Sequence, residues 1–139
     1  MLMTFDSPDS NECAARRQTS NTPLQALTIW NDPAFFEAAQ SIGRRIVSEV
    51  PAEAEEQQTV RLRGERAFLL CLARRPSAVE LSDVFVLYKS ARELAEQDEA
   101  AARKIVGSPL PSSDAIAEVA AWVSVGRTLL NLDEFITRE

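Results

Sequence analysis

The sequence predicts an all-α fold, a compact bundle of about five helices with an irregular N-terminal segment packed across it. Apolar residues recur at spacings of three and four along most of the chain, which is the period of a helix buried on one side. Prolines and capping residues stand where helix starts require them. No stretch alternates apolar and polar residues between turn dipeptides, so strands are not expected.

Length and composition favour a single domain. A chain of 139 residues with 45% hydrophobic content can bury a core without disulfides or metals. We expect one helical domain over residues 1–139, with an irregular segment at 1–21, a helical core at 22–131 and a C-terminal tail at 132–139. The first segment is rich in Asp, Asn and Ser and has no helical apolar period.

The first predicted helix begins with a capping box. In Thr22-Pro23-Leu24-Gln25, Thr22 is the N-cap, Pro23 takes the first helical position, where its missing N–H costs nothing, and Gln25 reaches back. This helix runs to about Trp30.

The second predicted helix uses the same device. Asn31 or Asp32 closes the first helix, and Asp32 caps the second, whose first residue is Pro33. Its apolar stripe, which ends near Pro51, contains Phe35, Phe36, Ala39, Ile42, Ile46 and Val50.

Three further helices follow. The third ends at Arg74-Arg75-Pro76, and the fourth begins with the capping box Ser77-Ala78-Val79-Glu80 and carries charges on its outer face. Beyond Gln97 the apolar stripe is lost after Val106, so a helix fraying into a loop is expected up to Ser113. Ser112 or Ser113 caps the last helix, one face of which carries Ile116, Val119, Ala120, Val123, Arg127 and Leu130.

Charge and residue usage exclude several function classes. The net charge of −6 argues against nucleic acid or an anionic membrane surface as a partner. Histidine is absent, which removes the commonest general base and metal ligand, and neither cysteine lies in a CxxC motif, so no cofactor or metal is expected. We find no membrane-spanning stretch or export signal, and expect a cytoplasmic chain by default.

Two sets of charged residues near the N-terminus are candidate ligands. Asp6, Asp9, Glu12 and Asp32 could form a carboxylate cluster for a cation such as calcium, but turn and cap roles are favoured because the spacing fits no known calcium loop. Arg16 and Arg17 could bind an anionic ligand. The favoured alternative is a clamp, in which either arginine binds Asp6 or Asp9 and holds the N-terminal segment against the helices.

The cysteines and amides give weaker candidates. Cys13 could act as a nucleophile, although a neighbouring carboxylate would raise its pKa, whereas Cys71 lies in an apolar run and is predicted to be core. A disulfide between them stays open. Four polar residues could converge, either as a buried polar network or as a sugar-binding surface with Trp30 or Trp122 as its stacking platform. The network is favoured, because helix ends leave backbone groups that side-chain amides must satisfy. The four residues are Asn21, Gln25, Asn31 and Arg127.

Several short runs resemble one family. They are F-D-x-P-D at residues 5–9, Cys13 with Arg16 and Arg17, N-T-P-L-Q-A-L at 21–27, N-D-P-x-F at 31–35, A-R-R-P-S-A-x-E-L at 73–81 and L-L-N-L-D-E-F at 129–135. Together they resemble the C-terminal domain of unknown function of large planctomycete-type proteins that also carry a cytochrome-c-like module. The resemblance implies a larger exported multidomain protein, but this chain has no C-x-x-C-H and so cannot itself attach haem.

The sequence supports two hypotheses about function. The leading one is a structural or interaction module, non-catalytic on its own, that contacts other domains of a larger protein or self-associates. The alternative is part of a hydrolytic or redox enzyme acting on polysaccharide, with carboxylates from Asp6, Asp9, Asp32 and Glu134 shared with missing domains.

Overall fold

The computed structural model describes residues 23–136, except the side chains of residues 23–25 and 114. Within this range the chain is helical and has no strand, which confirms the predicted fold class. A short 3₁₀ turn at Ser113–Ala115 precedes the sixth helix. The helices are α1 (Pro23–Asn31), α2 (Pro33–Glu49), α3 (Glu56–Leu72), α4 (Ala78–Gln97), α5 (Glu99–Val106), α6 (Ile116–Leu130) and α7 (Asp133–Ile136).

The central element of the bundle is α6. It contacts α2 and α4 most extensively, and α5 and α3 pack against it as well. Trp122 and Val123 are fully buried, as is Val125 on another side of the helix. A helix that is apolar all round belongs in the core. The predicted face with Ile116, Val119, Ala120, Val123 and Leu130 is buried, but the other sides of α6 are largely buried as well, and Arg127 is half-buried.

The crossing of α2 and α6 is unusually close. An ideal Cβ at Gly43 would lie 2.6 Å from Cγ2 of Val123, and one at Gly126 would lie 3.3 Å from Cγ2 of Ile42. Glycines on both helices thus let the two backbones approach, which fixes α2 against the central helix.

The loop predicted after Val106 is present, but the helix before it is a separate one, because α4 ends at Gln97 and α5 begins at Glu99. Asp98 caps α5 by accepting a hydrogen bond from the Ala101 N–H at 2.9 Å. At the other end, Arg44 donates to the Val106 carbonyl at 2.6 Å. Arg44 of α2 thus provides a donor for a carbonyl at the C-terminal end of α5 that has no partner within its own helix.

The chain also folds back after α6. The short helix α7 packs against α3 and α6, and the ring of Phe135 meets that of Phe35 edge-on at 6.4 Å between centroids. No helix among residues 23–136 is both long and apolar enough to span a membrane.

Candidate functional site

The junction between α1 and α2 is built as predicted. Asp32 has extended backbone angles, and its Oδ1 accepts a hydrogen bond from the Ala34 N–H at 2.8 Å, with Pro33 as the first helical residue. Asn31 donates from Nδ2 to the Leu27 carbonyl at 2.9 Å, within the last turn of α1. Both predicted candidates therefore serve helix ends, and no ligand is needed to explain them.

Arg127 joins the central helix to α1. Its Nη2 donates to the Trp30 carbonyl at 2.6 Å, and its guanidinium lies 4.2 Å from the centroid of the Trp30 ring and 4.9 Å from that of Phe36. The positive charge of Arg127 interacts favourably with the C-terminal end of the α1 dipole, and its contacts with the two aromatic rings add a cation–π attraction. The enclosed space at this contact, about 10 Å³, holds no more than a water molecule.

The predicted polar network is only partly described. Asn31 and Arg127 both contact backbone carbonyls near the end of α1, whereas Asn21 and the side chain of Gln25 lie outside the described residues. Trp122 is fully buried and packs on Tyr88, with 5.1 Å between the ring centroids, which rules it out as the platform of the alternative sugar-binding surface. One face of Trp30 is occupied by Arg127.

An arginine joins three separate segments near the end of α3. Arg74 bonds both carboxylate oxygens of Glu80 and both of Glu134, at 2.6–3.1 Å. The guanidinium also lies 5.2 Å from the centroid of the Phe68 ring. The pKa of Glu80 is lowered from 4.5 to about 2, mainly by its hydrogen bonds with Arg74 and, to a lesser extent, by the hydrogen bond from the Ser77 backbone N–H. Arg74 also lowers the pKa of Glu134. Both carboxylates are therefore charged at neutral pH.

A groove of about 270 Å³ lies beside this cluster, between α3, α4 and α6. We call it the α4–α6 groove. Most of its lining is apolar, with the polar Thr128 and two carboxylates on the more exposed side. The apolar side chains are those of Phe68, Val84, Leu87, Val125, Leu129 and Leu132, and the carboxylates are those of Glu80 and Asp83.

A second arginine cluster is buried. Arg63, only 2% exposed, donates from Nε to the Val50 carbonyl at 2.9 Å and pairs through Nη1 with Glu118. It thereby holds the end of α2 against α3 and α6. The sequence contains a sign that Arg63 is buried, because Arg63 lies at helical spacing between the apolar residues Val60 and Ala67. The prediction missed it because a charged residue at such a position is not usually placed in the core.

The remaining polar candidates are structural or lie outside the described residues. Cys71 is a buried free thiol whose pKa is raised to about 11 by burial, so it is core as predicted, whereas Cys13 lies outside the described residues. Among residues 23–136 no group of three or more Asp, Glu or Cys could hold a metal ion. The other candidates outside the described residues are Asp6, Asp9, Glu12, Arg16 and Arg17, and the clamp stays a prediction.

Comparison with known families gives a match over the first part of the chain. A family model, PSD1, described as a protein of unknown function (DUF1553), matches residues 1–88, more than half of the chain. This chain belongs to the DUF1553 family. No curated protein matches the chain, and no solved structure does.

The DUF1553 match covers five of the six sequence runs. The run at residues 129–135 and the whole of α6 lie beyond it. The matched region includes the Asp32 cap, Arg63, Arg74 and the α3 and α4 walls of the α4–α6 groove. Membership therefore agrees with the predicted domain of unknown function and assigns no chemistry to these residues.

Proposed function

We propose that this DUF1553 chain is a structural and interaction module, non-catalytic on its own, that contacts another polypeptide through the outer face of α4. The observation that carries the proposal is a row of exposed aliphatic side chains. Val79, Val86 and Leu94 are 71%, 62% and 66% exposed. Spacings of seven and eight residues place them on one side of the helix, along roughly 22 Å at 1.5 Å per residue. An exposed apolar row of this kind is typical of protein contacts.

The use of charge in the described residues also favours a structural role. Arg63 and Arg74 each bond groups on two other segments of the chain, and Arg127 bonds the Trp30 carbonyl of α1 and stacks on Phe36 of α2. Glu134 binds Arg74, and Asp32 caps α2, so two of the four carboxylates assigned to a polysaccharide enzyme already have structural partners. Asp6 and Asp9 lie outside the described residues, and a role for them in a shared site remains a prediction.

Sedimentation velocity over a range of concentrations tests the proposal, with a second copy of the chain as the partner. We expect weak, concentration-dependent self-association. Replacing Val79, Val86 and Leu94 by serine should reduce it at least several-fold. The matched control replaces Ala78, Lys89 and Glu96, exposed residues on a different side of α4, by serine and should leave association unchanged. A strict monomer at high concentration, or equal association in both variants, would contradict the proposal.

We further infer that the module functions within a larger protein of the planctomycete cytochrome-c-associated type. The order and spacing of the sequence runs support this inference. The genomic reading frame upstream of Met1 tests it, because a continuous frame encoding further domains is expected. A stop codon shortly upstream of Met1, with no further domain encoded, would contradict it.

A further inference from the structure

The exposed aliphatic row on α4 is arranged symmetrically about its own middle. Val79 lies seven residues before Val86, and Leu94 lies eight residues after it, so the row is nearly the same in both directions along the helix. When two copies of α4 lie antiparallel with their Val86 side chains adjacent, Val79 of each copy is level with Leu94 of the other. A two-fold interface requires a self-complementary surface of this kind.

The polar residues on the same side of α4 favour the antiparallel direction. Asp83 and Glu93 are both exposed on this side of the helix. A parallel pair would place each of these carboxylates level with its own copy, where like charges repel. In the antiparallel pair, Asp83 is level with Ser90 of the second copy. Glu93 is level with Glu80 of the second copy, whose carboxylate is already bound by Arg74.

The two ends of α4 carry opposite charges. Arg75 precedes the start of the helix, Asp98 follows its end, and both residues are exposed. Neither side chain forms an ion pair with any residue between 23 and 136. In the antiparallel register, Arg75 of each copy lies near Asp98 of the other, so this contact forms twice, once at each end. Exposed ion pairs add little energy, but they select the orientation of two surfaces.

We propose that two copies of this chain associate through an antiparallel pair of α4 helices, with Val86 at the two-fold axis. Val79 packs against Leu94 of the second copy. The guanidinium of Arg75 pairs with the carboxylate of Asp98 of the second copy. This inference rests on the proposed function and deepens it, because it gives the α4 face a partner with a defined orientation. Three aliphatic side chains from each copy make a small contact, so the association is weak.

Disulfide cross-linking in the full chain tests the arrangement. In a Cys13→Ser background, Val79→Cys and Leu94→Cys chains, distinguished by an affinity tag, are mixed and equilibrated in a glutathione redox buffer. We expect the 79–94 disulfide to form at least tenfold more than the 79–79 and 94–94 disulfides. The matched control mixes Ala78→Cys with Glu96→Cys chains, which lie at equal height on a different side of α4 and should not cross-link. Circular dichroism checks that each variant folds.

Reversing the charge at one end of α4 gives a second readout. Arg75→Glu should lower the yield of the 79–94 disulfide several-fold, because it places two carboxylates next to each other at both ends of the pair. The matched control is Lys104→Glu, which makes the same change in net charge at an exposed position of α5 and should have little effect. Equal effects of the two variants would overturn the proposed register.

The arrangement and the proposed function fail in different ways. Self-association of the wild-type chain with mainly 79–79 and 94–94 disulfides would overturn the antiparallel pair and leave the proposed function standing. The same holds if the chain self-associates but the 79–94 disulfide forms no more than the control disulfide. A wild-type chain that stays monomeric at high concentration in sedimentation velocity would contradict the proposed function itself.

Discussion

Gly43 and Val123 are in such close contact that position 43 has no room for a side chain. An ideal Cβ on Gly43 would lie 2.6 Å from Cγ2 of Val123 and 2.8 Å from its backbone nitrogen. A side chain can rotate away, but the backbone of the central helix cannot move without disturbing α3, α4 and α5 as well. The α2–α6 crossing therefore depends on this glycine.

Gly43→Ala should destabilise the protein by about 1–3 kcal/mol, because overpacking at the crossing outweighs the roughly 1 kcal/mol that alanine gains in helix propensity. Urea unfolding followed by circular dichroism measures the change. Gly64→Ala is the matched control, since its Cβ would meet only side chains of Leu81 and Val84, at 3.2 and 3.4 Å. Equal costs at the two positions would contradict this account.

Arg63→Met should destabilise the protein on the order of 3 kcal/mol. Methionine keeps the apolar stem but leaves the Val50 carbonyl and Glu118 without their charged partner. The control is Arg61→Ala, whose exposed pair with Glu65 is worth less than about 0.5 kcal/mol. If both variants unfold at the same urea concentration, Arg63 does not hold α2, α3 and α6 together.

The Arg74 cluster should make stability fall in acid. The pKa of Glu80 is lowered from 4.5 to about 2 in the folded state, so its contribution is present above the unfolded pKa and is lost as pH falls from about 4.5 towards 2. Glu80→Gln should lower the unfolding free energy at pH 7 and flatten its decline over this pH range. Glu65→Gln is the exposed control. If Glu80→Gln leaves the pH dependence of the unfolding free energy unchanged between pH 4.5 and 2, Glu80 is not the group whose protonation destabilises the protein.

Ala73→Gly should stabilise the protein by about 1 kcal/mol. Ala73 ends α3 in the left-handed region with φ of 56°, where a Cβ is unfavourable and glycine is not. The comparison is Ala101→Gly inside α5, which should cost up to about 1 kcal/mol. Thermal midpoints of the two variants should therefore shift in opposite directions, and a lowered midpoint for Ala73→Gly would refute the argument.

Cys71 should be unreactive until the protein unfolds. It is 6% exposed, and burial raises its pKa to about 11, so little thiolate is present at pH 8. In a Cys13→Ser variant, a colourimetric thiol reagent at pH 8 should label Cys71 at least a hundredfold faster in concentrated urea than in buffer. Comparable rates in the two solutions would mean that α3 opens readily.

Features that depend on neighbouring residues were predictable from the sequence. The Asp32–Pro33 start of α2 and the Ser77–Glu80 capping box of α4 need only three or four residues to form, and both are present in the structure. The start of α5 was missed because Asp98 acts as a cap without a proline or a reciprocal Glu or Gln, within a run of residues that all favour helix.

Features that depend on distant parts of the chain were not predictable. Arg74 and Glu134 are 60 residues apart, and no local pattern connects them. Arg127 was assigned to an apolar face, because the spacing of a helix does not reveal which side meets a neighbouring aromatic ring. The groove likewise exists only once α3, α4 and α6 have packed together.

The position of the central helix has a consequence for synthesis. Because α6 is the last long helix in the chain, α2, α3, α4 and α5 leave the ribosome before the helix that covers their apolar sides. The contacts that complete the core therefore join distant residues and cannot form on a nascent chain that stops short of residue 130. We expect truncated or stalled products of this gene to aggregate or to recruit chaperones.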